Sequence, residues 1–574
     1  VEKFDEIEEG RMELYNYYKQ YINGNGVDDN TDSNSNSVNK SFNNFRSQIS
    51  NDPLRELTET LMKKKAEENG YEKESEEFWQ KEKEGIFYFH DKTQGLIPYC
   101  FAMDSSFLMA EGRPYGTLHS LPAKRSDSFI AQLIEVVMDM SQSHAGAIAV
   151  PDLFVNYSRF TINEKHKTYK EIENDFQKFI HVVNNQFRVG GQSPFTNLNI
   201  MDREMLKVNY DINDETFLDE IMKNQKIFVR FFAKGDPKTG VPFRFPVCTI
   251  LLSYTEEQGF IDQEFFNWFS RKGNSGVFNI YITKDPLRWS ACCRLSLDMK
   301  DLMKHFHIDS FGNGSKSVGS HRVITLNLVK ILNENDSEQY LKDQMKLVAM
   351  ELFLHRKLLQ EHIDKGFLHF FKPLGWENLE RNFFSTIGFV GLFEACKGNI
   401  ERMYEIIQIM KNYIFELSDE FSMPINLEQV PAEGCAITLA KGTEYEILSN
   451  QYLPLWYDYN VVDRLKIAGR FDKEVTGGAI THINVDKKMT DMQFRKVLVF
   501  AAEQGVNHFA INYVYSLCEE GHFSNGKFEK CGICGKPIID YVTRIIGYFT
   551  PVSSWSEGRR EEFKKRKFEH NTKI

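Results

Sequence analysis

Four residues near the C-terminal end have the types and spacing of a metal site: Cys518, His522, Cys531 and Cys534, in the pattern C-x3-H-x8-C-x2-C. Two ligands from each of two tight turns can surround a tetrahedral zinc ion, and Gly535 permits the close backbone bend of such a knuckle. Protein groups fill all four positions, so the expected ion is structural. By itself a zinc ribbon points to a noncatalytic module that binds nucleic acid or protein. Nine cysteines in 574 residues are too sparse for a disulfide scaffold, which leaves metal binding and redox chemistry. The adjacent thiols Cys292-Cys293 are unusual, although free cysteines are most often packed in cores; Cys248 and Cys396 carry no expected role. The run Arg544-Ile545-Ile546-Gly547-Tyr548-Phe549 sets one glycine in an apolar, aromatic stretch, where local context alone indicates close packing or a bulge.

That run resembles the R-V-x-G-Y loop of glycyl radical enzymes. The tail from the knuckle through Thr550-Pro551-Val552-Ser553-Ser554-Trp555-Ser556-Glu557-Gly558 to Glu562-Phe563 resembles the C-terminus of anaerobic (class III) ribonucleotide reductases. Internal stretches extend the resemblance: Gln142-Ser143-His144-Ala145-Gly146, Gly190-Gly191-Gln192-Ser193-Pro194-Phe195-Thr196-Asn197, Gly319-Ser320 followed by Val323-Ile324-Thr325-Leu326-Asn327-Leu328, and Pro431-Ala432-Glu433-Gly434. The resemblance implies a stable radical stored on Gly547. Glycine suits that task because a Cα radical is delocalised over the flanking amides only when the backbone lies flat, and burial keeps oxygen from cleaving the chain there. The family carries its thiyl cysteine immediately before an arginine, which maps that role onto Cys293 before Arg294. Cys100 then corresponds to a second active-site cysteine across the substrate, and Glu433 to a carboxylate at the ribose that takes the 3'-hydroxyl proton while the 2'-hydroxyl leaves as water. Cys292 and Cys435 are further redox candidates, and Gln192, Gly319 and Ser320 are expected at the substrate.

The implied activity is conversion of ribonucleoside triphosphates to deoxyribonucleoside triphosphates by a glycyl-to-thiyl radical mechanism. A formate-lyase or dehydratase of the same radical class is the alternative enzyme, though such relatives usually lack a zinc knuckle before the glycine loop. The implied partners are a radical-SAM activase with an iron-sulfur cluster and a second copy of the chain. ATP or deoxynucleotide effectors are expected at a specificity site near the helix 126–140. Formate-using members carry an asparagine where this chain has Ser320 and build their zinc sites from four cysteines, so a thioredoxin-like reductant is expected over formate.

These residues need a scaffold large enough to bury them. The length, with 47 Phe and 24 Tyr, supports a bulky closed interior. A net charge of -11 argues against a nucleic-acid coat, and no apolar stretch or signal-peptide pattern indicates a membrane, so a cytoplasmic protein is expected. The mixed-sign basic run 559–567 reads as a solvated helix face. Helical patterns alternate with short β-branched and aromatic runs, an α/β architecture with a large sheet or barrel; the resemblance sharpens this to a ten-stranded α/β barrel. The predicted organisation is an N-terminal helix (1–22) with an Asn-rich mobile loop (23–44) in residues 1–50, a catalytic barrel over 51–514, and a zinc and glycyl radical module over 515–574. A full ATP-binding regulatory domain is not expected.

Overall fold

The β-branched and aromatic runs gather into a twelve-stranded sheet in the computed structural model. It describes residues 2–24, 40–115, 118–290, 296–298, 317–369, 371–372, 375, 379, 383–430, 433–544 and 547–569. Ten strands lie on one path: β1 (Cys100–Ala102), β2 (Ile148–Ala149), β3 (Thr196–Met201), β4 (Val247–Thr255), β5 (Phe278–Thr283), β6 (Val318–Asn327), β7 (Phe383–Val390), β8 (Ile425–Glu428), β9 (Thr481–Val485) and β10 (His508–Tyr513). Neighbours from β1 to β5 are parallel. So are β6, β7 and β8, and β9 with β10. The two groups run oppositely, joined by antiparallel pairs β1 with β6 and β5 with β10.

The free edges, β8 and β9, approach each other at a parallel bridge between Glu428 and Gly478. Its hydrogen bonds are Gln429 N to Gly478 O at 3.1 Å and Gly477 N to Leu427 O at 2.7 Å. Gly478 has φ of 97°, outside extended geometry, which breaks the ladder just before β9. The expected ten-stranded barrel therefore has one seam made by a bridge in place of a ladder.

Parallel neighbours require crossovers, and helices supply them. Glu215–Phe232 joins β3 to β4 and buries Leu218, Ile221, Met222, Gln225, Phe228 and Phe232 at helical spacing, with Asp214 capping its first turn. Gln263–Lys272 joins β4 to β5 under an Asp262 cap. Phe232 and Phe269 from these helices meet Phe278 on the outside of β5, with ring centroids 6.0 and 6.1 Å away. Because side chains alternate along a strand, Asn279 faces inward. The barrel thus has an apolar jacket and a polar lumen.

Val514 alone separates β10 from a second, four-stranded antiparallel sheet of β11 (Tyr515–Cys518), β12 (Phe523–Asn525), β13 (Ile538–Arg544) and β14 (Phe549–Pro551), in the order β12-β11-β13-β14. Helix Glu557–Lys565 follows. The tail then returns to the barrel, where Glu569 N donates to Asn484 O at 3.1 Å and Asp486 N to Glu569 O at 3.3 Å.

At the other terminus the expected helix is present as Glu2–Asn23. The polar stretch 23–44 is not all loop, however. A helix begins at Phe42, capped by Ser41, and runs to Ile49. Long-range contacts hold it: Asn44 is buried and receives the Tyr21 hydroxyl at 2.8 Å, while Phe45 lies 5.1 Å from the Tyr21 ring.

Candidate active site

The cysteine and histidine side chains of the knuckle converge. Their donor atoms all lie within 4.8 Å of one another. Cys518 Sγ is 3.6 Å from His522 Nδ1 and 3.7 Å from Cys534 Sγ, and Cys531 Sγ is 3.7 Å from His522 Nδ1. A tetrahedral zinc with ligands at about 2.0–2.3 Å has edges of roughly 3.5–3.8 Å, so the four donors fit that ion, His522 through Nδ1. The amide N–H groups of Cys534 and Ile533 hold the Cys531 thiol down at about 6, favouring the thiolate a metal needs. Gly535 has φ of 75° and its N–H closes the knuckle on Cys531 O at 2.8 Å.

From the same sheet, the β13–β14 connection carries Gly547, which is buried. Arg544, 2 % exposed, donates to Gly547 O at 3.1 Å, to Gly276 O at 3.0 Å and to Asn279 Oδ1 on β5. Its guanidinium also lies 5.1 Å from the Phe549 ring. Tyr548 packs against Phe195 and Phe245 with centroids 5.4 and 5.2 Å away. The glycine loop is therefore fastened to the barrel by a charged clamp on one side and an aromatic cluster on the other. Beneath it, buried Glu562 pairs with Arg566 at 2.7 Å and Arg559 at 3.0 Å, and Arg566 donates to Arg544 O at 2.8 Å. Burial pushes the Glu562 carboxyl upward, but the two guanidinium groups outweigh it and hold the carboxyl below its ordinary range. The basic run expected as a solvated face thus contains Arg559 and Arg566 as buried residues, 4 % exposed each.

Cys100 opens β1 opposite Ser320 of β6. Its Sγ accepts the Ala147 N–H at 3.2 Å. A Cβ on Gly146 would lie 2.4 Å from that sulfur, and one on Gly319 would lie 2.3 Å from Cys100 O, so both positions need glycine. Arg188, buried, donates to His144 O at 2.6 Å, to Ala145 O and to Gln94 Oε1 at 3.2 Å, with Gln192 Oε1 at 3.4 Å. Gln192 is thereby tied to the turn under Cys100. Arg322 donates to the carbonyls of His90, Gln94 and Ile97 at 2.8, 2.9 and 2.6 Å and fixes the loop before β1. Burial, with Arg322 adding to it, lowers His90 to about 3, so it is neutral where its Nε2 meets Thr325 Oγ1 at 2.8 Å. Cys435 is buried against the same threonine hydroxyl, and burial pushes its thiol up.

Cys292 and Cys293 lie outside the described residues, as does the side chain of Glu433, which opens the helix Glu433–Thr438. The strands flanking the two cysteines, Arg288–Ser290 and Ser296–Asp298, pair antiparallel. Arg544, Arg188, Arg322 and Asn279 were not singled out by sequence; Arg544 alone had a local signal, as the first residue of the glycine run.

At the start of helix Ser126–Gln142, a cleft of about 350 Å³ is lined by Arg125, Lys167 and Lys178 together with Asp127, Glu164 and Asp175. No helix among the described residues is long and apolar enough to cross a membrane.

Comparison with known proteins accounts for this assembly. Among curated proteins none matches the chain. Solved structures do. An anaerobic ribonucleotide reductase superposes with a TM-score of 0.80 at 28 % identity, covering 92 % of this chain and 90 % of its own. The Thermotoga maritima anaerobic ribonucleotide reductase in complex with dATP and CTP superposes with a TM-score of 0.78 at 26 % identity, covering 98 % and 99 %. The same enzyme with dATP bound in the specificity site gives 0.77 at 27 % identity over 90 % and 92 %. The family model described as anaerobic ribonucleoside-triphosphate reductase matches residues 34–568, the whole barrel and nearly all of the zinc and glycine-loop module. A knuckle, a buried glycine loop and a polar-lined barrel thus occur here in one order because the chain belongs to the anaerobic ribonucleoside-triphosphate reductase family.

Proposed function

We propose that this chain reduces ribonucleoside triphosphates to deoxyribonucleoside triphosphates with a radical stored on Gly547 and used through Cys293. The observation that carries the reading is the Gly547 loop itself: buried, closed over by Tyr548, Phe195 and Phe245, and held at its carbonyl by Arg544 against the barrel wall. A carbonyl fixed by a guanidinium keeps the peptide flat, and burial excludes oxygen. In the transfer step the Cys293 S–H bond breaks and a Cα–H bond forms at Gly547, leaving the unpaired electron on sulfur. That thiyl takes the ribose 3'-hydrogen. Glu433 accepts the 3'-hydroxyl proton while the 2'-hydroxyl, protonated, leaves as water. Cys100 supplies a hydrogen to C2' from the far face, and its sulfur joins a second thiolate as a disulfide radical anion whose extra electron reduces the 3'-ketone as Glu433 returns the proton. Cys293 gives its hydrogen back to C3' and retakes one from Gly547, so two electrons come from thiols.

Supporting Cys100 in that role is its rigid seat: the sulfur is wedged between the Gly146 backbone and the Ser320 strand. Gln192, Gly319 and Ser320 line the substrate side, with Cys292 and Cys435 as reserve thiols. Zinc, when bound by Cys518, His522, Cys531 and Cys534, supplies folding energy to the module. A radical-SAM activase installs the radical, a thioredoxin-like protein restores the thiols, and two copies of the chain associate. An ATP or deoxynucleotide effector binds near the helix Ser126–Gln142, a placement that rests on the family resemblance, since the cations of the adjacent cleft, Arg125, Lys167 and Lys178, are already paired with Asp127, Glu164 and Asp175.

The test is anaerobic: activated protein is incubated with a ribonucleoside triphosphate and dithiol or formate. Deoxynucleotide product is expected with the dithiol. No product with either reductant, from protein carrying the radical signal, would overturn the proposal.

A further inference from the structure

Two hairpins from distant parts of the chain reach the barrel, and one rung of its wall holds the base of each. Asn199 on β3, Thr249 on β4 and Asn279 on β5 are register partners across adjacent parallel strands. Register partners share a face. That face is the lumen, since Phe278 on the other side packs against the outer helices. All three are buried, at 4, 2 and 0 % exposure.

At one end of the rung, Asn199 Nδ2 donates to Ser290 O at 2.8 Å, the last described residue before the segment that contains Cys292 and Cys293. At the other end, Asn279 Oδ1 accepts from Arg544, whose guanidinium also holds Gly547 O. Asn279 Nδ2 has no partner among the described residues, which leaves a donor facing the lumen. Strands in a sheet are about 4.8 Å apart, so the two asparagines stand roughly 10 Å apart at their Cα atoms. Two amides in a barrel wall cost free energy unless they are bonded. Their bonds go to the two chain segments whose reactive groups must meet.

Hydrogen transfer between carbon and sulfur needs the reacting atoms at about 3–3.5 Å. A sheet rung holds its side chains at fixed spacing. We infer that the Asn199–Thr249–Asn279 rung is a fixed spacer between the base of the cysteine hairpin and the Gly547 loop, with Asn199 and Asn279 as positioning residues for radical transfer. The inference rests on the function proposed above.

The two are separated by one experiment. Full-length protein is activated anaerobically and its glycyl radical is followed by electron paramagnetic resonance in D2O. A thiol that exchanges with solvent as S–D hands deuterium to Gly547, and reabstraction of the original hydrogen in place of the deuterium leaves a deuterated radical, collapsing the α-hydrogen splitting. Asn199→Ala loses the Ser290 bond, while Asn199→Asp keeps the volume but replaces the donor. Both variants are expected to store the radical at wild-type yield, to lose the splitting on the order of a hundredfold more slowly, as a misplacement of about 1 Å costs, and to show a parallel fall in kcat with KM unchanged. Exchange at the wild-type rate in both variants would overturn the spacer, and so would loss of the stored radical in both, which would make Asn199 a folding residue. If the wild type shows no exchange, as when the thiyl takes back the deuterium it delivered, kcat decides: wild-type kcat in both variants would overturn the spacer, and no deoxynucleotide from radical-bearing wild-type protein would overturn the proposed function.

Discussion

At the scale of the residue, the close packing around Cys100 is the constraint that bears on chemistry. Its sulfur sits against the Gly146 Cα, and the distance of 2.4 Å that a Cβ would have from it is far inside van der Waals contact. Gly146 N also donates to Tyr99 O at 2.6 Å, so the turn cannot retreat without losing that bond. Gly146→Ala must therefore displace the sulfur by about 1 Å, enough to cost on the order of 10²-fold in a reaction that depends on orientation. The expected outcome is near-complete loss of deoxynucleotide formation with the Gly547 radical signal intact, because Gly547 is held by Arg544 and the aromatic cluster elsewhere. Radical content and product formation, measured on the same sample, check it. Loss of both together would mean that the substitution unfolds the barrel wall.

At the scale of elements, the helix Glu557–Lys565 holds the glycine loop in place through one buried carboxylate. Glu562 has its folded pKa depressed by Arg566 and Arg559. A depressed carboxyl contributes stability that is fully present above its unfolded pKa of about 4.3 and lost as pH falls toward the folded value. Removing one partner of a buried pair costs roughly 3–5 kcal/mol. Glu562→Gln should loosen the module at neutral pH and flatten the acid-side loss of protection expected of the native protein below about pH 4.3. Hydrogen exchange of β13 and β14 after incubation at pH 7 and pH 4 measures both effects. An unchanged pH dependence in the variant would assign the acid sensitivity to another group. This element also shows where a sequence stops being legible. The zinc ligands and the Gly547 run could be read because their spacing is local and nearly independent of the fold. The charges of 559–567 read as a solvated face because nothing local distinguishes a buried Arg559 or Arg566 from Lys564 or Lys565. The two arginines' ion pairs to Glu562 are local, but the packing that buries them is not: Arg566 meets Arg544 O across 22 positions, as Arg322 meets Ile97 O across 225. The rung of Asn199, Thr249 and Asn279 is invisible for the same reason: only strand register makes three scattered residues neighbours. Likewise, the helix Phe42–Ile49 hides in a polar stretch until Tyr21 and Gly190 cover it, the latter accepting from Asn44 at 3.1 Å.

For the whole molecule, burial of Gly547 poses a problem of access. Under the proposed function a radical that survives must be sealed, yet the proposed activase must reach the same Cα to install it. The module is joined to β10 through Val514, and its other end is fastened by the tail, where Glu569 adds a parallel bridge to Val485 on β9 and Lys567 N donates to Leu455 O at 2.9 Å. These bonds do not touch the zinc ligands or the Arg544 clamp. On that reading the tail is expected to act as a latch, its release letting the module swing about Val514 while its own sheet stays intact. Truncation after Arg566 keeps the Glu562 pairs and removes the latch together with Phe568, whose ring packs 6.0 Å from Phe563; Phe568→Ala in the full-length chain separates that packing from the latch. The truncated protein is expected to acquire its radical several-fold faster from the activase and to lose it several-fold faster in oxygen, since two or three hydrogen bonds at about 1 kcal/mol each shift the closed-to-open balance by that order or more. Radical growth is followed by electron paramagnetic resonance. Oxygen loss is read as cleavage at Gly547, releasing residues 548–574 from the native chain and 548–566 from the truncated one. Faster oxygen cleavage without faster activation would mean that the tail seals the site but does not gate it, and unchanged rates of both would show that the module is held shut by Arg544 and Tyr548 alone.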